Sequence, residues 1–165
     1  MRNTTLCYLE RDGCYLMLHR IKKENDLNRD KYIGVGGKFK EDESPDECLM
    51  REVAEETGLT LLSYRCCGVV TFVSDIYETE QMYLYHSDDF TGTLTDCSEG
   101  VPEWISMEDF ESLPKWEGDL IFLELMRRRV PFFTLKLRYE GDTLVYAALN
   151  GRQLSDLGRS IWNRN

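Results

Sequence analysis

Three glutamates near the middle of the chain have the spacing needed to bind a divalent cation. On a helix, where each residue advances roughly 100°, Glu52, Glu55 and Glu56 fall within about 100° of one another. Like charges at this spacing repel each other, and a cation between them relieves the repulsion. Carboxylate oxygens suit Mg²⁺, with Mn²⁺ as the alternative ion. The competing interpretation is a solvated acidic helix face with no ligand.

The flanking residues predict a helix from Ser44 to about Thr57. Ser44 is a favourable N-cap, and Pro45 suits the first helical position. Gly58 supplies the left-handed residue that ends many helices. An arc of residues next to the glutamates is expected to pack on a sheet: Leu49, Met50, Val53, Ala54 and Thr57.

The whole segment from residue 37 to residue 59 resembles the Nudix box, G-x5-E-x7-R-E-U-x-E-E-x-G-U, in which U is apolar. Nine specified positions over 23 residues all match: Gly37, Glu43, Arg51, Glu52, Val53, Glu55, Glu56, Gly58 and Leu59. The resemblance implies an α/β/α sandwich with a mixed central sheet. It also implies divalent metal and hydrolysis of a nucleoside diphosphate linked to another group.

The resemblance assigns roles to the acidic residues. Glu99 becomes either a further metal ligand or the general base, and Arg51 fixes the orientation of a helix glutamate, with similar support from Glu43. The expected metal ligands share oxygen donors: the Gly37 carbonyl and the carboxylates of Glu52, Glu55, Glu56 and Glu99.

Over roughly residues 4 to 149 the chain is similar to the MutT-related branch of the family, which includes hydrolases of oxidised purine nucleoside triphosphates. Trp116 and Asp119 match the positions at which that branch stacks on the base and reads it. Gly118 and Ile33 depart from the pattern, since each replaces a hydrogen-bonding side chain. The predicted substrate-binding residues are Arg20, Tyr32, Ile33, Trp116 and Asp119.

The predicted activity is Mg²⁺-dependent conversion of 8-oxo-dGTP, or related oxidised purine deoxynucleotides, to the monophosphate and pyrophosphate. One alternative within enzymes is hydrolysis of another nucleotide derivative such as ADP-ribose. An alternative of a different class is a non-catalytic, nucleotide-sensing module. The intact glutamates argue against the sensor, which has no need for a costly acidic face.

Composition limits the partners. A length of 165 residues favours a single domain, residues 1–165, and 20 Lys+Arg against 30 Asp+Glu give a net charge of −10. This charge argues against a nucleic-acid polymer or an anionic membrane as the partner, and favours a small nucleotide. Six cysteines without a C-x-x-C pair indicate reduced thiols in a cytoplasmic protein. Monomer and homodimer both stay open.

The order of predicted elements is typical of an α+β fold. A hairpin closes at Asp12-Gly13, a turn and edge are expected over 88–95, and Ser106 caps a short helix. Residues 150–165 are expected to form a surface helix or a loose tail. Strands are predicted over 4–10, 14–19, 60–73, 80–86, 102–106, 132–139 and 143–149, with a second long helix over 119–128.

Overall fold

Along one strand of the sheet, buried residues alternate with exposed residues. From Phe133 to Glu140, buried and exposed residues alternate, so one face of the strand enters a core and the other faces solvent. The structure is a computed structural model that describes residues 1–21, 28, 30–96 and 100–163.

The described residues form nine strands and four helices. The strands are β1 Arg2–Arg11, β2 Cys14–His19, β3 Tyr32–Ile33, β4 Leu59–Ser74, β5 Glu80–Gly92, β6 Val101–Ser106, β7 Phe133–Glu140, β8 Thr143–Leu149 and β9 Arg152–Gln153. The helices are α1 Pro45–Thr57, α2 Met107–Phe110, α3 Gly118–Arg127 and α4 Arg159–Trp162.

The chain divides into two units, which we name after their long helices. The α1 unit comprises Thr4–Arg65 and Tyr85–Lys115. Within it the strand order is β3-β2-β1-β5-β4, and β6 also pairs with β2 along its whole length. Isolated bridges join Thr4 to Lys38 and Cys7 to Val35, so the glycine-rich segment before α1 lies along β1.

The α3 unit comprises Met1–Asn3, Cys66–Leu84 and Trp116–Asn165, with strand order β5-β4-β7-β8-β9. Here β4 and β7 pair in parallel while β7, β8 and β9 are antiparallel, so the sheet is mixed. Helix α3 is buried from Gly118 to Met126. Its buried Glu124 is satisfied by ion pairs with Arg127 and Arg128.

Most predicted elements are present, and the α+β class is confirmed. The predicted turn over 88–95 is wrong for residues 88–92, because β5 continues to Gly92. Polar contacts support this extension: the Ser63 hydroxyl donates to Asp89 at 2.8 Å, and the Ser87 hydroxyl donates to the Ser63 carbonyl at 2.6 Å. Residues 150–163 form the short elements β9 and α4 instead of one surface helix or a loose tail.

Across the part of the chain that the structure describes, no helix combines the length and the apolar character needed to cross a membrane.

Candidate active site

Helix α1 begins and ends at defined residues, and this fixes the rotational position of its glutamates. The Ser44 hydroxyl accepts a hydrogen bond from the Glu47 amide at 3.1 Å, and the Glu47 carboxylate accepts one from the Ser44 amide at 3.0 Å. This reciprocal pair is a capping box. At the other end Gly58 has φ 78°, where an L side chain is strained. Ser44 and Gly58 are the predicted ends.

The packing face of α1 differs from the predicted one by a small rotation. Ala54, predicted to pack, is exposed, and Met50 is only half-buried. Cys48 and Glu56 are buried on this helix instead. Glu56 is therefore on the packed side of the helix, with 4% of its surface exposed.

Arg51 joins three carboxylates. Its Nε and Nη2 donate to the two oxygens of Glu43 at 2.6 and 2.9 Å, which is a bidentate pair. Its Nη1 donates to Glu52 at 2.8 Å and to Glu55 at 3.2 Å. The Lys38 carbonyl also accepts from Nη2, at 3.1 Å. The guanidinium thus ties the loop before the helix to two of the predicted metal ligands.

These contacts fix the charge states of the Arg51–Glu43 pair. The hydrogen bond from Arg51 is the largest cause that lowers the pKa of Glu43 from 4.5 to about 2, and a bond from the Lys40 amide adds to it. The same bond to Glu43 raises the pKa of Arg51 above its ordinary value. Both groups are ionised at neutral pH.

Gly37 lies directly against the Glu52 carboxylate. A Cβ at position 37 would be 2.5 Å from Glu52 Oε1 and 2.7 Å from Oε2, so a side chain there would displace this carboxylate. The Gly37 carbonyl accepts from the Thr5 amide at 2.9 Å and from the Cys48 thiol at 3.5 Å. Of the predicted metal ligands, Gly37 and Glu52 are thus brought together.

The other predicted ligands are arranged differently. The Glu55 side chain is 55% exposed while that of Glu52 is 14% exposed, and Arg51 contacts both. Among the residues that the structure describes, no three His, Cys, Asp or Glu side chains are arranged to hold a metal ion. Glu99 lies outside the described residues, so its role as ligand or general base stays a prediction.

In the α1 unit, the predicted substrate residues Arg20, Tyr32 and Ile33 follow or form short strands. Arg20 is 9% exposed and continues from β2, whereas Tyr32 and Ile33 form β3 opposite the end of β2. The Tyr32 ring stacks on the His19 ring with centroids 4.1 Å apart, and His19 Nε2 lies 2.9 Å from the Asp30 carboxylate. His19 therefore lies beside Tyr32, although it was not among the predicted substrate-binding residues.

In the α3 unit, Trp116 is buried with 5% exposure. Its ring packs edge-to-face on Phe72 and Tyr139, with centroids 5.1 and 4.8 Å apart. Asp119 is also buried, and its amide donates to the Trp116 carbonyl at 3.0 Å. These contacts make Trp116 part of a packed aromatic cluster, and its role in stacking on a base stays a prediction.

Gly118, which departs from the family pattern, has a structural reason to be glycine. Its amide donates to the Tyr139 hydroxyl at 2.7 Å. A Cβ at this position would be 2.5 Å from Leu137 Cδ1 and 2.7 Å from the same hydroxyl. The aspartate that the branch has here would require the side chains of Leu137 and Tyr139 to shift.

Comparison with known proteins adds a family match. The NUDIX domain family matches residues 1–126 of this chain. The oxidized purine nucleoside triphosphate hydrolase of Danio rerio is 28% identical over 125 residues, covering 74% of this chain and 79% of that protein. The CTP pyrophosphohydrolase of Escherichia coli is 29% identical over 118 residues, covering 70% and 84%.

Among solved structures, the MutT protein of Bacillus halodurans superposes with a TM-score of 0.80 at 22% identity. The match covers 91% of this chain and 98% of that one. At this identity the likeness shows the fold alone, and it confirms the predicted sandwich with a mixed central sheet.

Proposed function

The chain belongs to the Nudix family, and on that premise we propose that it is a Mg²⁺-dependent nucleoside triphosphate pyrophosphohydrolase of the cytoplasm. The proposed substrates are 8-oxo-dGTP and related oxidised purine deoxynucleoside triphosphates, which water splits into the monophosphate and pyrophosphate. The observation that carries the proposal is the acidic cluster organised by Arg51, with the Glu52 carboxylate lying against Gly37.

The donor set of this cluster suits a hard cation. All of its candidate ligands are oxygens, which Mg²⁺ prefers over nitrogen and sulfur. Position 37 has no side chain, and this lets the Glu52 carboxylate approach the backbone there. Bound Mg²⁺ would neutralise charge on the phosphate oxygens and activate water. The residues that would hold it are Gly37, through its carbonyl, and Glu52, Glu55 and Glu56.

The chain's own contacts prepare these groups for that role. Arg51 holds Glu52 and Glu55 in charge-assisted hydrogen bonds, which restrain the orientation of both carboxylates. Glu43 in turn restrains Arg51 by two hydrogen bonds from the loop. We propose that a carboxylate accepts the proton of the attacking water, either that of Glu99 or that of a glutamate of α1. The pH–rate profiles of the glutamine variants at these positions distinguish the two assignments.

The substrate class is supported by a relative and opposed by one residue. The Danio rerio relative acts, by its name, on oxidised purine nucleoside triphosphates. At position 118, however, glycine stands where the MutT-related branch has a base-reading aspartate. A side chain at this position would clash with Leu137. Loss of such a group can reduce discrimination between bases by powers of ten.

This departure favours a second candidate, hydrolysis of a different nucleotide. A relative named as a CTP pyrophosphohydrolase matches at similar identity, so CTP is the most direct competitor to test. ADP-ribose represents the nucleotide derivatives that are not triphosphates.

The test is to measure the products formed with Mg²⁺ from 8-oxo-dGTP, dGTP, CTP and ADP-ribose in parallel. A higher kcat/KM for 8-oxo-dGTP than for dGTP supports the proposed substrate. A preference for CTP, or AMP released mainly from ADP-ribose, replaces it with the second candidate. The matched variants are Glu56→Gln and, as the control, Glu140→Gln, which alters an exposed carboxylate on β7.

We expect Glu56→Gln to lower turnover by at least about a hundredfold while the fold survives, because it removes one ligand charge without changing side-chain shape. Turnover in Glu56→Gln equal to that of the control would refute the metal–carboxylate mechanism.

A further inference from the structure

His19 and Tyr32 form a stacked pair of rings where β2 ends and β3 begins. The two residues are direct partners in the antiparallel ladder, and their ring centroids are 4.1 Å apart with the planes inclined by 8°. Leu18 and Ile33 are the next partners, and successive side chains of a strand point to opposite faces. The side chains of Tyr32 and Ile33, both predicted to bind substrate, therefore lie on opposite faces of this ladder. A ligand that contacts Tyr32 on its face meets His19 there and not Ile33.

Asp30 determines which ring nitrogen of His19 carries the hydrogen. His19 Nε2 lies 2.9 Å from a carboxylate oxygen of Asp30, whose side chain is 72% exposed. An exposed carboxylate is ionised at neutral pH and only accepts hydrogen bonds, so Nε2 is the donor and, in the neutral ring, Nδ1 is an acceptor without a hydrogen. Among the residues that the structure describes, no group donates to Nδ1. The ring thus offers a ligand one acceptor of fixed character.

The hydroxyl of Tyr32 supplies a donor on the same face. Burial raises the pKa of this hydroxyl above its ordinary value, and the carboxylates of Glu103 and Asp30 raise it further, so the hydroxyl keeps its proton at neutral pH. Within the described part of the chain it makes no hydrogen bond. The Tyr32 amide donates to the Pro114 carbonyl at 2.9 Å, which restrains the residue at its backbone. The stacked pair therefore carries one donor and one acceptor that are available to a ligand.

We propose that His19 is a specificity-determining residue, which recognises the oxidised edge of the purine together with Tyr32. Oxidation at C8 places a hydrogen on N7 and a carbonyl oxygen on C8, whereas an unmodified purine has only an acceptor at N7. In this assignment His19 Nδ1 accepts from the N7 hydrogen, and the Tyr32 hydroxyl donates to the C8 oxygen. The inference rests on the proposed function, in which the substrate is an oxidised purine nucleotide.

This assignment gives the protein a means of discrimination that needs neither Ile33 nor a side chain at position 118. An unmodified purine would place its N7 lone pair against the lone pair of His19 Nδ1. Two facing acceptors leave both groups unpaired and lose the affinity that a hydrogen bond supplies. A site built on hydrogen bonds rejects the analogue that lacks the matching group.

The competing interpretation is that the stack only joins β2 to β3. Aromatic cross-strand pairs commonly stabilise a sheet in this way. That interpretation predicts that phenylalanine at position 19, which keeps the packing of ring on ring, leaves the choice between oxidised and unmodified purines unchanged.

The experiment measures kcat/KM for 8-oxo-dGTP and for dGTP with Mg²⁺, at about pH 8, where an imidazole is neutral. The quantity compared is the ratio of the two values. The variants are His19→Phe, Tyr32→Phe and Asp30→Asn, with Tyr77→Phe as the control because Tyr77 is a tyrosine of the α3 unit with 39% exposure. Melting temperatures are recorded for each variant, so that a change in preference is separated from a change in stability.

We expect His19→Phe to lower the ratio about tenfold, the effect of one lost hydrogen bond. Tyr32→Phe should lower it by a similar factor, because the donor to the C8 oxygen is gone. Asp30→Asn should lower it by a smaller factor, because an amide can donate to Nε2 and so allows the hydrogen of the ring to move to Nδ1. The control should keep the wild-type ratio.

A wild-type ratio in His19→Phe would overturn the inference while the proposed function stands. If His19→Phe does not fold, Asp30→Asn decides, since it alters an exposed side chain, and a wild-type ratio there overturns the fixed acceptor on His19. Wild-type protein that does not prefer 8-oxo-dGTP to dGTP would instead overturn the proposed substrate, together with this inference.

Discussion

Replacing Gly37 with alanine should separate the activity of this protein from its stability. The added Cβ would lie 2.5 Å from Glu52 Oε1, whereas ordinary van der Waals contact begins at 3.4 Å. The Glu52 carboxylate must therefore retreat by about 0.9 Å. Position 37 does not require a left-handed φ, so alanine brings no backbone strain.

The expected magnitude follows from this displacement. A shift of about 1 Å in a catalytic group can lower the rate about a hundredfold, and Glu52 is a proposed ligand of the catalytic cation. The clash involves the end of a flexible side chain, so the fold accommodates it. Substituting glycine by alanine also reduces the entropy of the unfolded chain, which contributes about 0.4–1 kcal/mol in favour of folding.

The assay compares kcat/KM for the best substrate of the panel with the melting temperature, in wild type and in Gly37→Ala. We expect turnover to fall about a hundredfold while the melting temperature changes by only a few degrees. The variant should also bind Mn²⁺ more weakly, because the displaced carboxylate no longer lies beside the Gly37 carbonyl.

A double variant tests the cause of this loss. Glu52→Asp shortens the side chain, so adding Gly37→Ala to it should cost much less than adding Gly37→Ala to the wild type. Equal additional losses in both backgrounds would refute the proposed clash. Wild-type turnover in Gly37→Ala would refute the placement of Glu52 in the cation site.

Two further predictions concern the Arg51 pair and the glycine of α3. Because the pKa of Glu43 is lowered from 4.5 to about 2 in the folded state, its pair with Arg51 stabilises the protein above pH 4.5 and loses this effect as the pH falls towards 2. Glu43→Gln should therefore lower the melting temperature at pH 7, by an amount that shrinks below pH 4.5; a constant difference would contradict this. Gly118→Asp should destabilise the protein by about 1–3 kcal/mol in urea unfolding, since it overpacks the contact with Leu137 and Tyr139, and an unchanged midpoint would contradict the clash.

The sequence was sufficient to predict the limits of α1 because they depend on local interactions. Ser44 caps the helix through residues three positions away, and Gly58 ends it through its own φ. The ion pairs of Arg51 with Glu52 and Glu55 are likewise contacts within one turn of the helix. Helical spacing alone therefore places Arg51 beside these glutamates, whereas its role in orienting them is implied by the resemblance to the Nudix box and stays a prediction.

Long-range packing decided the features that the sequence did not predict. The rotation of α1 that buries Cys48 and Glu56 depends on the strand against which the helix lies, and helical periodicity does not specify that strand. The continuation of β5 past His86 depends on polar partners such as Ser63, 26 positions away from Asp89. Such pairs leave no alternating apolar pattern in the sequence.

The difference between local and long-range contacts also explains why the reaction could be inferred more firmly than the substrate. The groups proposed to hold the cation in α1 and the segment before it, Gly37 and three glutamates, lie within 23 residues of one another. Base recognition, by contrast, was expected from residues such as Ile33 and Trp116, which are 83 positions apart. Gly118 illustrates this, because a side chain there would press on Leu137 and Tyr139, which are distant in the sequence. Under the proposed function, a departure at such a position would alter base recognition and leave the phosphate chemistry unchanged, so the substrate panel and the Glu56→Gln variant test separate properties of this enzyme.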